Sequence, residues 1–202
     1  SYPDHGMVLK SSRIDLFTDP PVQSERSDRW NIDHVWFNKA EARLWLPEDP
    51  LEGDFYELPD VITDRLFCFH LVDNARGQTL PFAPQDIKES HLQIEVLIRS
   101  QTSVQIKITG HSKAVARGQW LFGQNDWTPN YDLNHDMQTN LLGKASYDLG
   151  LEKFTEFEMV AIGKRYGKTE NNGRQNSPDS GYIGFLFTLA KGNPSDRIAP
   201  AF

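Results

Sequence analysis

Residues 92–109 read LQIEVLIRSQTSVQIKIT, and their alternation decides the fold class. Leu92, Ile94, Val96 and Ile98 alternate with Gln93, Glu95 and Arg99. After a short polar break, Val104, Ile106 and Ile108 alternate with Gln105, Lys107 and Thr109. Successive side chains of a strand point to opposite faces, so each run presents one apolar and one polar side. Folding the runs back on Ser100-Gln101-Thr102 sets Val96 opposite Ile106, Ile94 opposite Ile108 and Glu95 across from Lys107. A slip of one residue would set every apolar side chain against a polar one. The stretch therefore predicts an antiparallel hairpin, Leu92–Ile98 against Val104–Gly110, with one face buried.

Working outward, strand signals recur along the chain. Met7–Phe17 and Arg29–Phe37 read as strands, and Ala40, Ala42, Leu44 and Leu46 alternate with Glu41, Arg43 and Trp45. Leu66–Val72 is apolar on both sides, as suits a central strand covered on both faces. Val115–Phe122, Lys144–Leu149, Thr155–Ile162 and Tyr182–Ala190 complete the set, with a short helix near Pro84–Ser90. Residues rich in Pro, Gly, Asn and Asp separate them at 47–64, 73–90, 123–141 and 164–181. Loops of that length in a compact domain are often used for binding.

The pattern predicts one all-β domain spanning residues 1–202, with about nine or ten strands. A single antiparallel β-sandwich of jelly-roll type is the leading architecture, and a closed antiparallel β-barrel is its rival. A chain of this size buries enough surface to need no staples. The lone Cys68 excludes an intramolecular disulfide. Net charge is −7; residues 1–101 hold 18 acids and 10 bases, so a nucleic-acid partner is not expected. No run approaches the roughly 18 apolar residues of a membrane-spanning helix. Compartment and oligomeric state stay open.

Four constellations bear on function. Asp132, Asn134 and Asp136 have the opening spacing of a calcium loop, but Met137 stands where the turn needs glycine and Gly143 where a glutamate belongs. No metal is expected there, and nothing calls for a cofactor. The segment 163–174 gathers Lys164, Arg165, Lys168 and Arg174 with Gly163, Gly167, Gly173, Asn171 and Asn172. Its bases suit a carboxylate, a phosphate or an acidic sugar. Trp127, Tyr131 and Tyr166 are ring faces in polar surroundings, and Trp45, in phase with Glu41 and Arg43, falls on the less buried side. Trp30, Trp36 and Trp120 read as core. Glu156 and Glu158 share a strand face, where solvent-facing glutamates commonly alternate. His70 lies inside the most apolar run, two residues after Cys68. It is either a buried neutral histidine bonded to a neighbour or a general base beside an interior pocket.

No motif is specific enough to name a family or a reaction. The expectation is a ligand-binding β domain for a carbohydrate or similar polar small molecule. Its expected site combines Trp127, Tyr131, Asp132, Arg165, Tyr166, Asn171, Asn172 and Arg174. The alternatives are an acid–base enzyme with a pocket near His70 and a protein-interaction domain marked by a flat apolar patch.

Overall fold

The computed structural model describes residues 2–16, 32–120, 131–169, 171–174 and 177–201, with backbone only for 119, 120 and 131–133. Trp30 and Trp127 lie outside these residues, as does the side chain of Trp120.

Eight antiparallel strands form one sheet: β1 (Met7–Leu16), β2 (Ile32–Phe37), β3 (Phe55–Glu57), β4 (Ile87–Arg99), β5 (Ser103–Trp120), β6 (Tyr131–Asp148), β7 (Lys153–Gly167) and β8 (Ser180–Leu189). Their order across the sheet is β2-β1-β8-β7-β6-β5-β4-β3. Strands β3 to β8 follow one another as a meander, and β1 returns to pair with β8, Leu9 beside Leu189. The all-β expectation is met. A jelly roll needs two sheets joined by crossovers, and among the described residues every ladder belongs to one sheet, so that detail of the expectation is not met there. Nor is that sheet a barrel closed by hydrogen bonds: among the described residues, no ladder joins its edges β2 and β3.

The central hairpin forms in the predicted register, with Val96 opposite Ile106, Ile94 opposite Ile108 and Glu95 opposite Lys107. A bulge between Val96 and Ile98 shifts Ile98 onto Gln105, and Ser100 N–H closes the turn on Ser103 O. Leu97 and Ile98 both face outward as a result. The expected strand 104–110 and the described part of the expected strand 115–122 are one strand, β5, while β6 already begins at 131 and β7 runs to 167, within the expected loops. Gly167 ends β7 with φ +75, and a Cβ there would meet Asn134 O at 1.7 Å, so only glycine allows the two strands to approach.

The inner face packs on a segment inserted between β2 and β4. Two expected strands in it are helical. Helix α1 (Lys39–Arg43) starts because Asn38 Oδ1 accepts from Glu41 N–H while Glu41 Oε2 accepts from Asn38 N–H, a reciprocal cap. That cap outweighs the period-2 pattern of 40–46. Trp45, expected on the less buried side, is fully buried, edge-on to Phe37 and Phe157 at 5.8 and 5.1 Å between ring centres. Helix α2 (Asp60–Asp64) leads into a π-helical turn, Arg65–His70, so 66–72 is not a central strand. The turn packs on the inner face of the sheet, where Leu66, Phe67, Leu71 and Val72 join Leu9, Phe37, Leu92, Ile106, Met159 and Phe187 in one core, while Phe69 is exposed. A 3-10 turn at Pro84–Asp86 stands where a short helix was expected. Among the described residues, no helix is long and apolar enough to cross a membrane.

Candidate functional site

One end of the sheet holds the last residues of β1, β5 and β7 and the first residues of β6 and β8. The expected site residues converge on this end unequally. Arg165 and Tyr166 are consecutive on β7, so their side chains take opposite faces. Arg165 points inward and is 4% exposed, while Tyr166 points outward and is 38% exposed. Tyr131 and Asp132 open β6 opposite Trp120 and Gln119, but their side chains lie outside the described residues. Asn171 is exposed and takes Gln78 N–H on its backbone oxygen, whereas Asn172 and Arg174 are buried. The sheet therefore gathers Arg165, Asn172 and Arg174 and turns Tyr166 away from them.

Arg174 organises what is gathered. It is 1% exposed, and its guanidinium donates to Asp15 through Nη1 and Nη2 and to Asp73 through Nε and Nη2. Asn172 Nδ2 donates to Asp73 at 3.4 Å, and Arg76 pairs with Asp15 and donates to Ser177 at 3.0 Å. Burial raises the Asp15 carboxyl's pKa, but hydrogen bonds and charge from Arg174 and Arg76 outweigh it and hold the group below its usual range. Arg165 is less well served. Its terminal nitrogens reach the carbonyls of Gly167 at 3.4 Å and Pro178 at 3.1 Å, while Nε lies 3.8 Å from Asp73 and has no hydrogen-bond partner among the described residues. Burial, then the neighbouring Arg174 charge, lower its pKa. Among the described residues, three guanidiniums thus meet two carboxylates, with Arg165 and Arg174 buried and Arg76 half-buried. Beside them Thr79 Oγ1 meets both His135 Nε2 and Thr169 Oγ1, and the His135 ring stacks on Phe82.

A second polar centre lies on Asp33 of β2. Its carboxylate accepts from Arg13 Nη2, His70 Nδ1–H, His34 N–H and Ala201 N–H. Burial raises its pKa, but those donors and the Arg13 charge more than offset this, so Asp33 is held well below the usual carboxylate range. His70 is 2% exposed, and burial lowers its pKa against the pull of Asp33, so the ring is neutral. With Nδ1 committed to Asp33, Nε2 is the nitrogen left basic. The ring borders a cavity of about 220 Å³ with Trp36, Arg65, Phe69 and Pro200.

The outer face carries a larger hollow. A bulge at Thr155 sets both Thr155 and Glu156 outward while Phe154 and Phe157 both point inward. The resulting groove of about 700 Å³ runs from Leu97 and Gln105 past Lys144, Glu156 and Glu158 to Thr188. Asp132, Asn134 and Asp136 lie along the strand β6 and form no loop. His91 and His111 face each other across β4 and β5 at 5.2 Å between ring centres, with Glu57 beside His91. Among the described residues, no set of His, Cys, Asp and Glu is placed to hold a metal.

Sequence reasoning missed Arg13, Asp15, Asp33, Asp73 and Arg76. One signal was present: Arg13 and Asp15 continue the inward phase of Met7, Leu9 and Ser11, and charges on a core face are paired or functional. Comparison with family models, characterised proteins and solved structures returned no match.

Proposed function

We propose that the chain is a ligand-binding β domain for a small polar molecule bearing a carboxylate or phosphate, an acidic sugar being the fitting class, seated at the loop end beside Arg165. The observation that carries this reading is the Arg165 guanidinium, buried with Nε lacking a hydrogen bond among the described residues, in a cluster whose described guanidiniums outnumber its described carboxylates. A buried donor without an acceptor costs about 1–3 kcal/mol, and an anionic group placed against it recovers that cost. Arg174, locked by Asp15 and Asp73, holds the cluster rigid and does not itself reach for the ligand. Tyr131 and Asp132, which open β6 at this end, and Asn171, in the connection after β7, would add a ring face and hydrogen-bonding groups, and Trp127, outside the described residues, is the second ring of the proposal.

Titration calorimetry with a uronic acid, inorganic phosphate and a neutral hexose tests the reading. An anionic probe binds the parent protein, and R165Q and W127A each weaken that binding at least tenfold, while the neutral hexose binds weakly. Failure of both anionic probes, or full-strength binding by both variants, overturns it.

A second reading rests on the Asp33–His70 pair. Its geometry suits acid–base chemistry on a small substrate, with Asp33 fixing the tautomer and Nε2 as the proton acceptor. Imidazole ¹⁵N shifts test it: a His70 ring protonated on Nδ1 and neutral at pH 7 agrees, and an Nε2-protonated ring refutes it.

A further inference from the structure

The outer face of the sheet bears a continuous apolar patch, on the side opposite the inward-facing Arg165 and Arg13. Leu142 lies beside Val160, and Val160 beside Leu186. In the next row Ile162 and Ile14 flank the strand position of Gly184. Tyr182 and Tyr166 continue it toward the loop end, with Lys164 Nζ over both rings at 5.9 and 4.9 Å. All seven apolar or aromatic side chains are exposed. Together they present on the order of 600 Å², the upper end for the largest patch of a monomer. A stable interface buries roughly 800 Å² per partner, so the bordering polar residues would have to join the apolar patch in it.

The order of residues along β7 identifies the occupant. Outward from the strand's start stand Glu156, Glu158, Val160, Ile162, Lys164 and Tyr166. About Ala161 this series is self-complementary: acid, apolar, apolar, base. From these placements we infer that the face binds a second copy of this chain, outer face to outer face, about a two-fold axis crossing β7 at Ala161. A two-fold interface presents the same patch from both sides, so each contact occurs twice. Val160 meets Ile162 of the second copy, and Glu158 meets Lys164. Glu156 meets Tyr166, whose ring enters the groove of about 700 Å³ that the Thr155 bulge opens beside Glu156. Aligned packing of twisted sheets at about −30° keeps these contacts near the axis. A different protein would have no reason to match the order of charges along β7 to itself.

Sedimentation velocity on the intact chain tests the inference. The parent is a dimer at about 100 µM, well above a micromolar Kd. V160D is monomeric with an unchanged far-UV spectrum, since its side chain faces outward. E158K and K164E are each monomeric, because each puts like charges at both 158–164 contacts. Mixing E158K with K164E restores a dimer containing one copy of each, since every contact then pairs opposite charges. A monomeric parent, charge variants that dimerise as the parent does, or a mixture that stays monomeric overturns the inference.

Discussion

Arg174 and Asp15, 159 residues apart in the chain, meet through two parallel hydrogen bonds, Nη1 to Oδ2 at 2.8 Å and Nη2 to Oδ1 at 2.7 Å. The same guanidinium holds Asp73, so one side chain ties β1 to the inserted segment and to the connection after β7. Removing one partner of a buried ion pair strands the others. R174A is expected to lower stability by about 3–5 kcal/mol. R174K should recover little, because an ammonium lacks the planar fork that serves two carboxylates. Urea midpoints at unchanged m-value measure this, and a loss below about 1 kcal/mol for R174A would show the network to be slack.

Ile106 tests the register of the central hairpin. It is buried opposite Val96, so I106K forces an unpaired charge into the core and should cost more than about 3 kcal/mol. K107Q, one residue along on the outer face, loses only the partly exposed pair with Glu95 and should cost less than about 1 kcal/mol. Thermal melts of the two variants should separate widely.

Acid sensitivity follows from Asp33. Its folded pKa lies below the unfolded value near about 3.9, so the unfolded state takes up the proton first. The stability it contributes is whole above about pH 4 and is lost as pH falls through the folded value. His34, His70 and His135, each lowered by burial, act at higher pH: the unfolded rings protonate first, so stability also declines below about pH 6.5. Measured from pH 7 to 2, D33N should be the less stable at neutral pH and should approach the parent in acid. A constant gap would contradict the assignment.

Cys68 is buried in the π-helical turn, and its thiol is pushed up to about 11 by burial and by Asp64 and Asp86. The thiolate is the reactive form, so an aromatic disulfide reagent at pH 8 should modify the native protein only at its unfolding rate. Rapid stoichiometric reaction in native buffer would place Cys68 outside the core.

What the sequence made legible depended on the range of the deciding interaction. The hairpin at 92–109 is specified by its own alternation, and it formed with the expected partners. The segment 40–46 also alternates, but the Asn38–Glu41 cap gives its backbone a better local alternative. The run 66–72 has no strand period to read, since it is a π-helical turn that sets Leu66, Phe67, Leu71 and Val72 together against the sheet and leaves Phe69 exposed. At the candidate site, the gathering of Arg165, Asn172 and Arg174 was legible from their closeness in the chain. Their partners were not, because Asp15 and Asp73 reach them only through the β1–β8 ladder and the inserted segment.

That ladder also sets the order of assembly. From β4 to β8, neighbouring strands follow one another in the chain, so each pairing closes a loop no longer than one connection. Joining β1 to β8 brings Leu9 to Leu189, across nearly the whole polypeptide, before any contact repays the loss of chain freedom. The meander is the part that can zip up alone, and the β1–β2 arm closes late. In refolding followed by pulsed hydrogen exchange, amides of β5 and β6 should gain protection first and those of β1 and β2 last, with the slow phase belonging to the arm.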